Sequence, residues 1–418
     1  MRIDVFQQYE SEVRSYCRAF PTVFKKAKGS YIEGEDGTRY LDFFAGAGSL
    51  NYGHNPDFIR DKLIEYLSSD GIMHALDMYT VAKGEFISAM QEKILQPRKL
   101  EYRIQFPSPT GTNAVEAALK IARKVKGRQN IFAFQGGFHG MTLGSLACTG
   151  NQYNRKAAGV SLPNVTFMPY PFGAMEKIDT IAYIDAVLSD PSSGVEKPAA
   201  MILETVQAEG GVVVAPVEWL KQLRALCDKH DILMIVDDIQ VGCGRTGSFF
   251  SFERAGIEPD IVTLSKSIGG CGLPLAVVLI KPELDKWSPG EHNGTFRGNQ
   301  LAFVSGAAAI ELWSQLAIEN QVRQKADQVE AGLKNIIRET DSRLQLRGLG
   351  LIWGVDFSPL GDPDLIERVL GTCFQNGLII ENSGRKGQVM KLLPPLVVTE
   401  SELDTGLGII LQAMKTCL

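Results

Sequence analysis

The stretch from Ile232 to Gly272 decides the fold that we expect. Its first part, ILMIVDDIQ (232–240), is a short, β-branched, apolar run that ends in two carboxylates, of which the first is Asp237. Its last part, DIVTLSKSIGG (260–270), is a second apolar run that ends at Lys266 and is followed by glycines. Both patterns are typical of buried strands that carry polar side chains at their carboxyl ends.

The two strand ends indicate a shared site. In open α/β sheets, ligands bind outside the carboxyl ends of the strands, so Asp237 and Lys266 are expected to face one crevice. A lysine that forms a Schiff base and an acid that pairs with a pyridinium nitrogen together suit pyridoxal 5′-phosphate. Each residue alone has an ordinary interpretation, because most lysines are surface charges and acids at strand ends often cap helices.

Short apolar runs alternate with helical stretches on both sides of this region. The predicted strands are RIQF, NIFAF, VTFMPY, AAMILETV, ILMIVDD, IVTLSK and LAVVLI. Helical periodicity lies between most of them, as in 113–126 and 217–229. This alternation predicts an α/β fold with a mainly parallel, seven-stranded, doubly wound sheet.

A phosphate-binding turn is predicted before the helix that follows RIQF. The segment FPSPTGTNAVEAALKIARKVKG (106–127) places Gly111 and Thr112 at the helix start and Gly127 at its end. Free N–H groups and the partial positive charge at a helix start suit a phosphate dianion. A plain capped helix is the alternative. The segment is neither GxGxxG nor a Walker A loop, which disfavours dinucleotides and ATP.

Two further loops carry candidate site residues. In FQGGFHG (134–140), Phe138 could stack on a cofactor ring, and His139 accompanies it. In ETVQAEGG (204–211), Glu209 could meet a substrate ammonium group or an arginine. Simple loop packing and surface exposure are the alternatives for these residues.

The composition excludes several functional classes. The chain has 418 residues and a net charge of −5, so no basic field is available for nucleic acid or an anionic membrane. Apolar runs stay below about 18 residues, which disfavours a membrane-spanning helix. The N-terminal pattern predicts an ordinary helix over 1–20 and not a signal peptide. The seven cysteines and five histidines show no zinc spacing. We therefore expect a cytoplasmic enzyme without a metal site.

The termini are expected to form a second, smaller α+β domain. An alternating pattern around Asp36-Gly37 predicts a hairpin with a type I′ turn over 29–41. The tail mixes strands and helices, and the hairpin is expected to pack with it. We place the N-terminal part of the small domain at 1–55, the large domain at 56–315 and the C-terminal part of the small domain at 316–418.

With these motifs in order, the chain resembles the class III pyridoxal-phosphate-dependent aminotransferases of fold type I. The most specific parts are Asp237–Gln240, Ser265-Lys266 and Gly294-Thr295, and the resemblance covers nearly the whole length. Within the family, the TFRGN segment (295–299), the length and the C-terminal third are most similar to members that act on diaminobutyrate and 2-oxoglutarate.

The resemblance implies a role for each matching residue. Lys266 forms the Schiff base and moves the proton, and Asp237 pairs with the pyridinium nitrogen. The cofactor is further bound by Gly111, Thr112, Phe138, His139, Gln240 and Thr295. Thr295 would act from the neighbouring subunit of a homodimer or a dimer of dimers, and Glu209 matches a gate that lets one pocket accept two kinds of substrate.

Three departures from the family pattern concern charge. Asp238 stands where a glutamate is usual, so its contacts are in doubt. Arg297 stands where many members have glycine and could bind a carboxylate bidentately. Lys391 stands where many relatives have arginine before Pro-Pro, and it would bind a substrate carboxylate as a point charge.

The implied reaction is a ping-pong transfer of an amino group from glutamate to aspartate 4-semialdehyde, which gives 2,4-diaminobutyrate, or the reverse. Three alternatives stay open: an ω-aminotransferase for ornithine, acetylornithine or 4-aminobutyrate, a same-fold aminomutase or racemase, and a non-catalytic scaffold. The product could enter a route to a compatible solute such as ectoine, to a siderophore or to a polyamine.

Overall fold

A seven-stranded sheet forms the centre of the protein, whose computed structural model describes residues 3–418. The order of its strands is Arg103–Gln105, Val277–Ile280, Ile261–Leu264, Leu233–Asp237, Ala200–Leu203, Ile131–Phe134 and Val165–Met168. The pairings around Leu233–Asp237 are parallel, and Val277–Ile280 runs antiparallel to both of its neighbours. The predicted mainly parallel sheet of seven strands is confirmed.

Every residue of Leu233–Asp237 and Ile261–Leu264 is buried, because helices cover both faces of the sheet. The predicted helix after RIQF is Gly111–Lys126, and Gly127 ends it in the left-handed conformation with φ 61°. The α-helices of the structure are Asp4–Tyr9, Tyr16–Ala19, Asp57–Ser68, Val81–Ala89, Gly111–Lys126, Leu143–Cys148, Gln152–Lys156, Thr180–Ser189, Val217–Lys229, Gln300–Gln315, Ile318–Glu339, Leu365–Gln375 and Glu400–Cys417.

Two four-stranded sheets are built from the chain termini. One is antiparallel, in the order Gln345–Leu349, Ile352–Asp356, Val389–Leu392 and Glu381–Ser383. The other joins the N-terminal strands Phe24–Lys28, Tyr31–Gly34 and Arg39–Asp42 to Leu378–Ile379. The last pairing is parallel and confirms that the N-terminal hairpin packs with the tail. A two-stranded ribbon, Val206–Gln207 with Val213–Val214, lies beside them.

Two local predictions were wrong. The helix expected over 1–20 is broken within the described residues, because Asp4–Tyr9 and Tyr16–Ala19 are separate and the exposed segment between them is not helical. The hairpin turn is not type I′, because that turn needs positive φ at both central residues and, in the pair Asp36-Gly37, only Gly37 has it, at 87°. A helix boundary and a turn type both depend on tertiary contacts that local patterns do not reveal.

The glycine-rich loop after the hairpin forms a left-handed turn. Ala45, Gly46, Ala47 and Gly48 all have positive φ, between 47° and 85°. Alanine avoids this region because its Cβ approaches the following carbonyl oxygen. The turn lies against the carboxyl edge of the large sheet, where its carbonyl groups meet the site described below.

Across residues 3–418, no single helix is both long enough and apolar enough to cross a membrane. One bent pair, Gln300–Gln315 with Ile318–Glu339, would meet the length and composition criteria together. Much of Gln300–Gln315 is buried in the protein core, which accounts for its apolar composition.

Candidate active site

Asp237 and Lys266 line one cavity at the carboxyl edge of the large sheet. Their strands are adjacent and parallel, with Asp237 in register with Thr263. The cavity has a volume of about 150 Å³. Its lining comprises Gly111, Thr112, Phe138, His139, Gly140, Glu204, Glu209, Asp237, Ile239, Gln240 and Lys266. The convergence expected from the two strand ends is therefore present.

The carboxylate of Asp237 is buried and held from two sides. His139 Nδ1 lies 2.7 Å from one carboxylate oxygen, and Thr263 donates its hydroxyl to the other at 3.2 Å. Burial alone would lower the pKa of His139, but the hydrogen bond and charge of Asp237 raise it above its usual value. The contacts with His139 and Thr263 therefore fix the position of the Asp237 carboxylate at the end of the strand.

Lys266 is the second principal side chain of the cavity. Its Nζ donates to the carbonyl oxygen of Ala47 at 2.9 Å, in the left-handed turn. Burial lowers the pKa of Lys266, although the charge of Glu209 opposes this. The residue itself has φ 52°, a strained value for a lysine and one that is frequent at functional sites. A lowered pKa favours the neutral form of a lysine, which is the nucleophilic form.

The phosphate end of the cavity is the start of the helix Gly111–Lys126. A Cβ at Gly111 would come within 3.1 Å of the Ile239 side chain, so the glycine keeps this corner open. Thr112 carries a hydroxyl there, which also bonds to Thr142 and Ser145. Unpaired N–H groups at a helix start suit a phosphate dianion.

Phe138 borders the cavity, and a hydrogen bond from its backbone N–H fixes its position. Its N–H donates to Glu204 Oε1 at 2.8 Å. Glu204 is buried, and burial raises its pKa to about 7. The carboxyl group of Glu204 thus positions the ring of Phe138 instead of meeting solvent.

These features fit pyridoxal phosphate. The cavity brings together an amine, a carboxylate, an aromatic ring and a helix start, which match the aldehyde, the pyridine nitrogen, the ring face and the phosphate of that molecule. Gln240 adds a side-chain amide whose Oε1 is buried and has no hydrogen-bond partner among residues 3–418, while its Nε2 donates to Ala47. Buried polar atoms normally have a hydrogen-bond partner, so the free Oε1 of Gln240 is available to a bound ligand.

Lys391, proposed from the sequence as a carboxylate anchor, is completely buried between two glutamates. Its Nζ lies 2.6 Å from Glu209 and 2.9 Å from Glu381. Burial alone would lower the pKa of Lys391, but these two carboxylates raise it above its usual range. The ammonium group can meet a substrate only after one of the glutamates has moved.

Thr295 and Arg297 do not line this cavity in a single chain. Thr295 is exposed, and its carbonyl oxygen lies 2.8 Å from His74 Nε2. Arg297 pairs with Asp77 and borders a separate cavity of about 260 Å³. Their roles in cofactor and substrate binding stay predictions.

Asp238, the departure from the usual glutamate, lies behind the site. Its Oδ2 accepts a hydrogen bond from Ser251 N–H at 2.9 Å, and burial raises its pKa to about 7. The shorter side chain therefore serves the loop after the strand and does not reach the cavity.

The sequence analysis missed two contributors. Glu381 belongs to the apolar run GLIIEN, where an acid between buried positions was the available signal. The carbonyl of Ala47, which accepts from both Lys266 and Gln240, is a backbone group and leaves no signal in the residue types.

Comparison with known proteins gives a consistent result. The family model for class-III aminotransferases matches residues 14–414. A diaminobutyrate–2-oxoglutarate transaminase from Bordetella parapertussis is 54% identical over 412 residues, covering 98% of this chain and 94% of that protein. A protein of the same name from Vibrio parahaemolyticus is 52% identical over 416 residues, covering 99% and 98%.

Solved structures have the same fold. An aminotransferase from Bacillus anthracis is 26% identical with a TM-score of 0.88, covering 99% of this chain and 98% of that one. The ornithine aminotransferase from Toxoplasma gondii is 25% identical with a TM-score of 0.86, covering 99% and 94%. The predicted fold type I architecture agrees with both.

Proposed function

The chain belongs to the class-III aminotransferase family, and from this premise we propose that it moves an amino group between glutamate and aspartate 4-semialdehyde. The products are 2-oxoglutarate and L-2,4-diaminobutyrate, and the reverse direction is equally open. The cofactor of the family is pyridoxal 5′-phosphate. The substrate pair is supported by relatives of 52–54% identity that bear the name diaminobutyrate–2-oxoglutarate transaminase.

The observation that carries the proposal is the shared cavity of Asp237 and Lys266. When bound, pyridoxal phosphate supplies an aldehyde for the amino group and a ring that accepts electrons. We assign Lys266 to holding the cofactor and to moving the substrate proton, a task for which its lowered pKa is suited.

The remaining residues orient the cofactor. Asp237 would keep the pyridine nitrogen protonated, since its carboxylate is buried and fixed by His139. Phe138 would cover one face of the ring, and Gly111 and Thr112 would bind the phosphate. All of these groups meet in one cavity at the carboxyl edge of the large sheet.

A second copy of the chain would complete the site. The segment before Val81 and the loop that follows Thr295 expose apolar side chains on the surface of a single chain: Ile72, Met73, Leu76, Met78, Tyr79 and Phe296. Tyr79 is 100% exposed and Phe296 69%. Exposed apolar side chains that cluster in this way mark protein interfaces. We therefore propose a homodimer in which Thr295 reaches the partner's phosphate.

A cytoplasmic location is part of the same proposal. All seven cysteines are free thiols, and six of them are fully or partly covered rather than paired across loops, as in Cys148 and Cys227. Unpaired thiols are usual in a reducing compartment.

The test is identification of the product. The purified holoenzyme is incubated with glutamate and aspartate 4-semialdehyde, and the amino acids formed are separated and identified. We expect 2,4-diaminobutyrate and an equal amount of 2-oxoglutarate. A parallel panel with ornithine, acetylornithine and 4-aminobutyrate as donors to 2-oxoglutarate measures preference. Higher kcat/KM for a member of that panel, or product without keto acid release, would overturn the proposal.

A further inference from the structure

Lys391 is shared between two carboxylates that have different surroundings. Glu381 and Lys391 are directly opposite each other on the antiparallel strands Glu381–Ser383 and Val389–Leu392. Glu209 comes from the turn that follows Val206–Gln207 and contacts the same ammonium group. One cation is thus held by a strand residue and by a loop residue.

The two glutamates differ in freedom. The side chain of Glu209 is 34% exposed and borders the cavity of Lys266, so it can swing toward solvent. Glu381 is 8% exposed, and its strand pairing fixes it beside Lys391. Its contact with Lys391 is an ion pair without hydrogen-bond alignment, which leaves Glu381 Oε1 buried and without a hydrogen-bond partner among residues 3–418.

The charge of this cluster depends on Glu381. One lysine with two ionised carboxylates has a net charge of −1, and protonation of one carboxyl makes the cluster neutral. The charged or titratable groups that act on Glu381 or feel its charge are Lys391, Glu209, Lys266 and Tyr16. Burial and the charge of Glu209 raise the pKa of Glu381 to about 7, against the opposing effect of Lys391.

The two substrates of the proposed function place opposite demands on the cluster. The dicarboxylates glutamate and 2-oxoglutarate bring a second carboxylate to the pocket. The diamine brings a second ammonium group in its place. We infer that Glu381 is a specificity-determining residue that selects between them by gaining or losing one proton, and this inference rests on the proposed function.

The two protonation states have opposite preferences. With Glu381 protonated, departure of Glu209 leaves Lys391 as an uncompensated cation, which attracts the second carboxylate of a dicarboxylate. With Glu381 ionised, the cluster stays negative and attracts the second ammonium group of the diamine. The proton comes from solvent and returns there when the dicarboxylate leaves. Binding of dicarboxylate is therefore coupled to proton uptake.

The first test measures binding without turnover. Glutarate has two carboxylates and lacks the reacting amino or keto group, so it serves as the probe for the wild-type holoenzyme. We expect its Kd to rise between about pH 6 and about pH 8, by up to about tenfold per pH unit at the steepest. Calorimetry at about pH 8 compares the binding enthalpy of glutarate in two buffers of different ionisation enthalpy. The difference between the two enthalpies should show that a proton is taken up on binding.

The second test uses Glu381→Gln, which keeps the size of the side chain and removes its titration. In this variant the Kd of glutarate should stay low and independent of pH over the same range. We expect the KM for 2,4-diaminobutyrate to fall with rising pH in the wild type, and to be several-fold higher than the wild-type value at alkaline pH in Glu381→Gln. Glu101→Gln, at an exposed position away from the site, serves as the matched control and should behave as the wild type.

A glutarate Kd that does not change with pH in the wild type, or an unchanged slope in Glu381→Gln, would overturn the inference. If Glu381→Gln does not fold, the wild-type proton uptake decides. Failure of the inference is distinct from failure of the proposed function. The latter would appear as absence of 2-oxoglutarate-dependent turnover of diaminobutyrate, whatever the pH dependence of glutarate binding.

Discussion

The floor and the rim of the active site are built in different ways. We use floor for Asp237, Lys266 and His139, which lie at the carboxyl edge of the large sheet, and rim for the largely exposed segments 72–79 and 294–297. Every floor side chain is largely buried and has a hydrogen-bond partner within the chain. The rim exposes apolar side chains such as Tyr79, and its Thr295 lies outside the cavity of its own chain.

The side chains of the floor and those of the rim are therefore positioned by different contacts. The floor is positioned by the hydrogen-bonded register of adjacent strands, which one chain establishes when it folds. The rim has no strand pairing among residues 3–418 and is held by loop contacts such as His74 with Thr295, to which a second copy would add further contacts. Changes in the floor should therefore abolish the chemistry within each subunit, whereas changes in the rim should act across the interface.

The largest effect is expected for Lys266→Ala in the floor. The variant loses both the amine that holds the cofactor and the base that moves the proton, so kcat should fall by at least about 10³-fold. The visible absorbance of the lysine Schiff base, which borohydride bleaches in the wild type, should be absent. Lys177→Ala, at an exposed position, is the control and should retain both. Retention of the absorbance and of full turnover in Lys266→Ala would contradict the assignment.

An intermediate effect is expected for Thr295→Ala in the rim. Loss of one hydrogen bond to a phosphate dianion costs about 1.5–3 kcal/mol, which weakens cofactor binding by roughly 10- to 100-fold. Titration of the apoenzyme with pyridoxal phosphate measures this change. Thr416→Ala, at an exposed position on the last helix, is the control.

Mixed dimers make the same prediction specific to the interface. If Thr295 acts on the partner subunit, random pairing of Lys266→Ala chains with Thr295→Ala chains restores one complete site in half of the dimers. About one quarter of all sites should then bind the cofactor with wild-type affinity. If mixing restores no such sites, Thr295 acts within its own chain and the contrast between floor and rim disappears.

The floor was largely predictable from the sequence, and the rim was not. Asp237 and Lys266 each follow an apolar run, and the edge rule for parallel sheets brings such residues together. The pairing of Glu381 with Lys391 was missed, because it depends on the register of two strands joined by an irregular loop. Thr295 lies outside the cavity of its own chain, and its proposed role toward the cofactor of a second chain stays a prediction.

The smallest effect is expected where the floor meets the left-handed turn at Ala47. Its carbonyl oxygen holds Lys266 and Gln240 while its φ of 56° strains the Cβ. In Ala47→Gly, relief of this strain should outweigh the added freedom of the unfolded chain and raise stability by about 0.5–1 kcal/mol. Ala331→Gly, at an exposed site within the right-handed helix Ile318–Glu339, should instead lose about 1 kcal/mol. Urea midpoints that move in opposite directions would show that the floor tolerates strain because its hydrogen bonds hold the turn, whereas equal losses would show that the turn is unstrained.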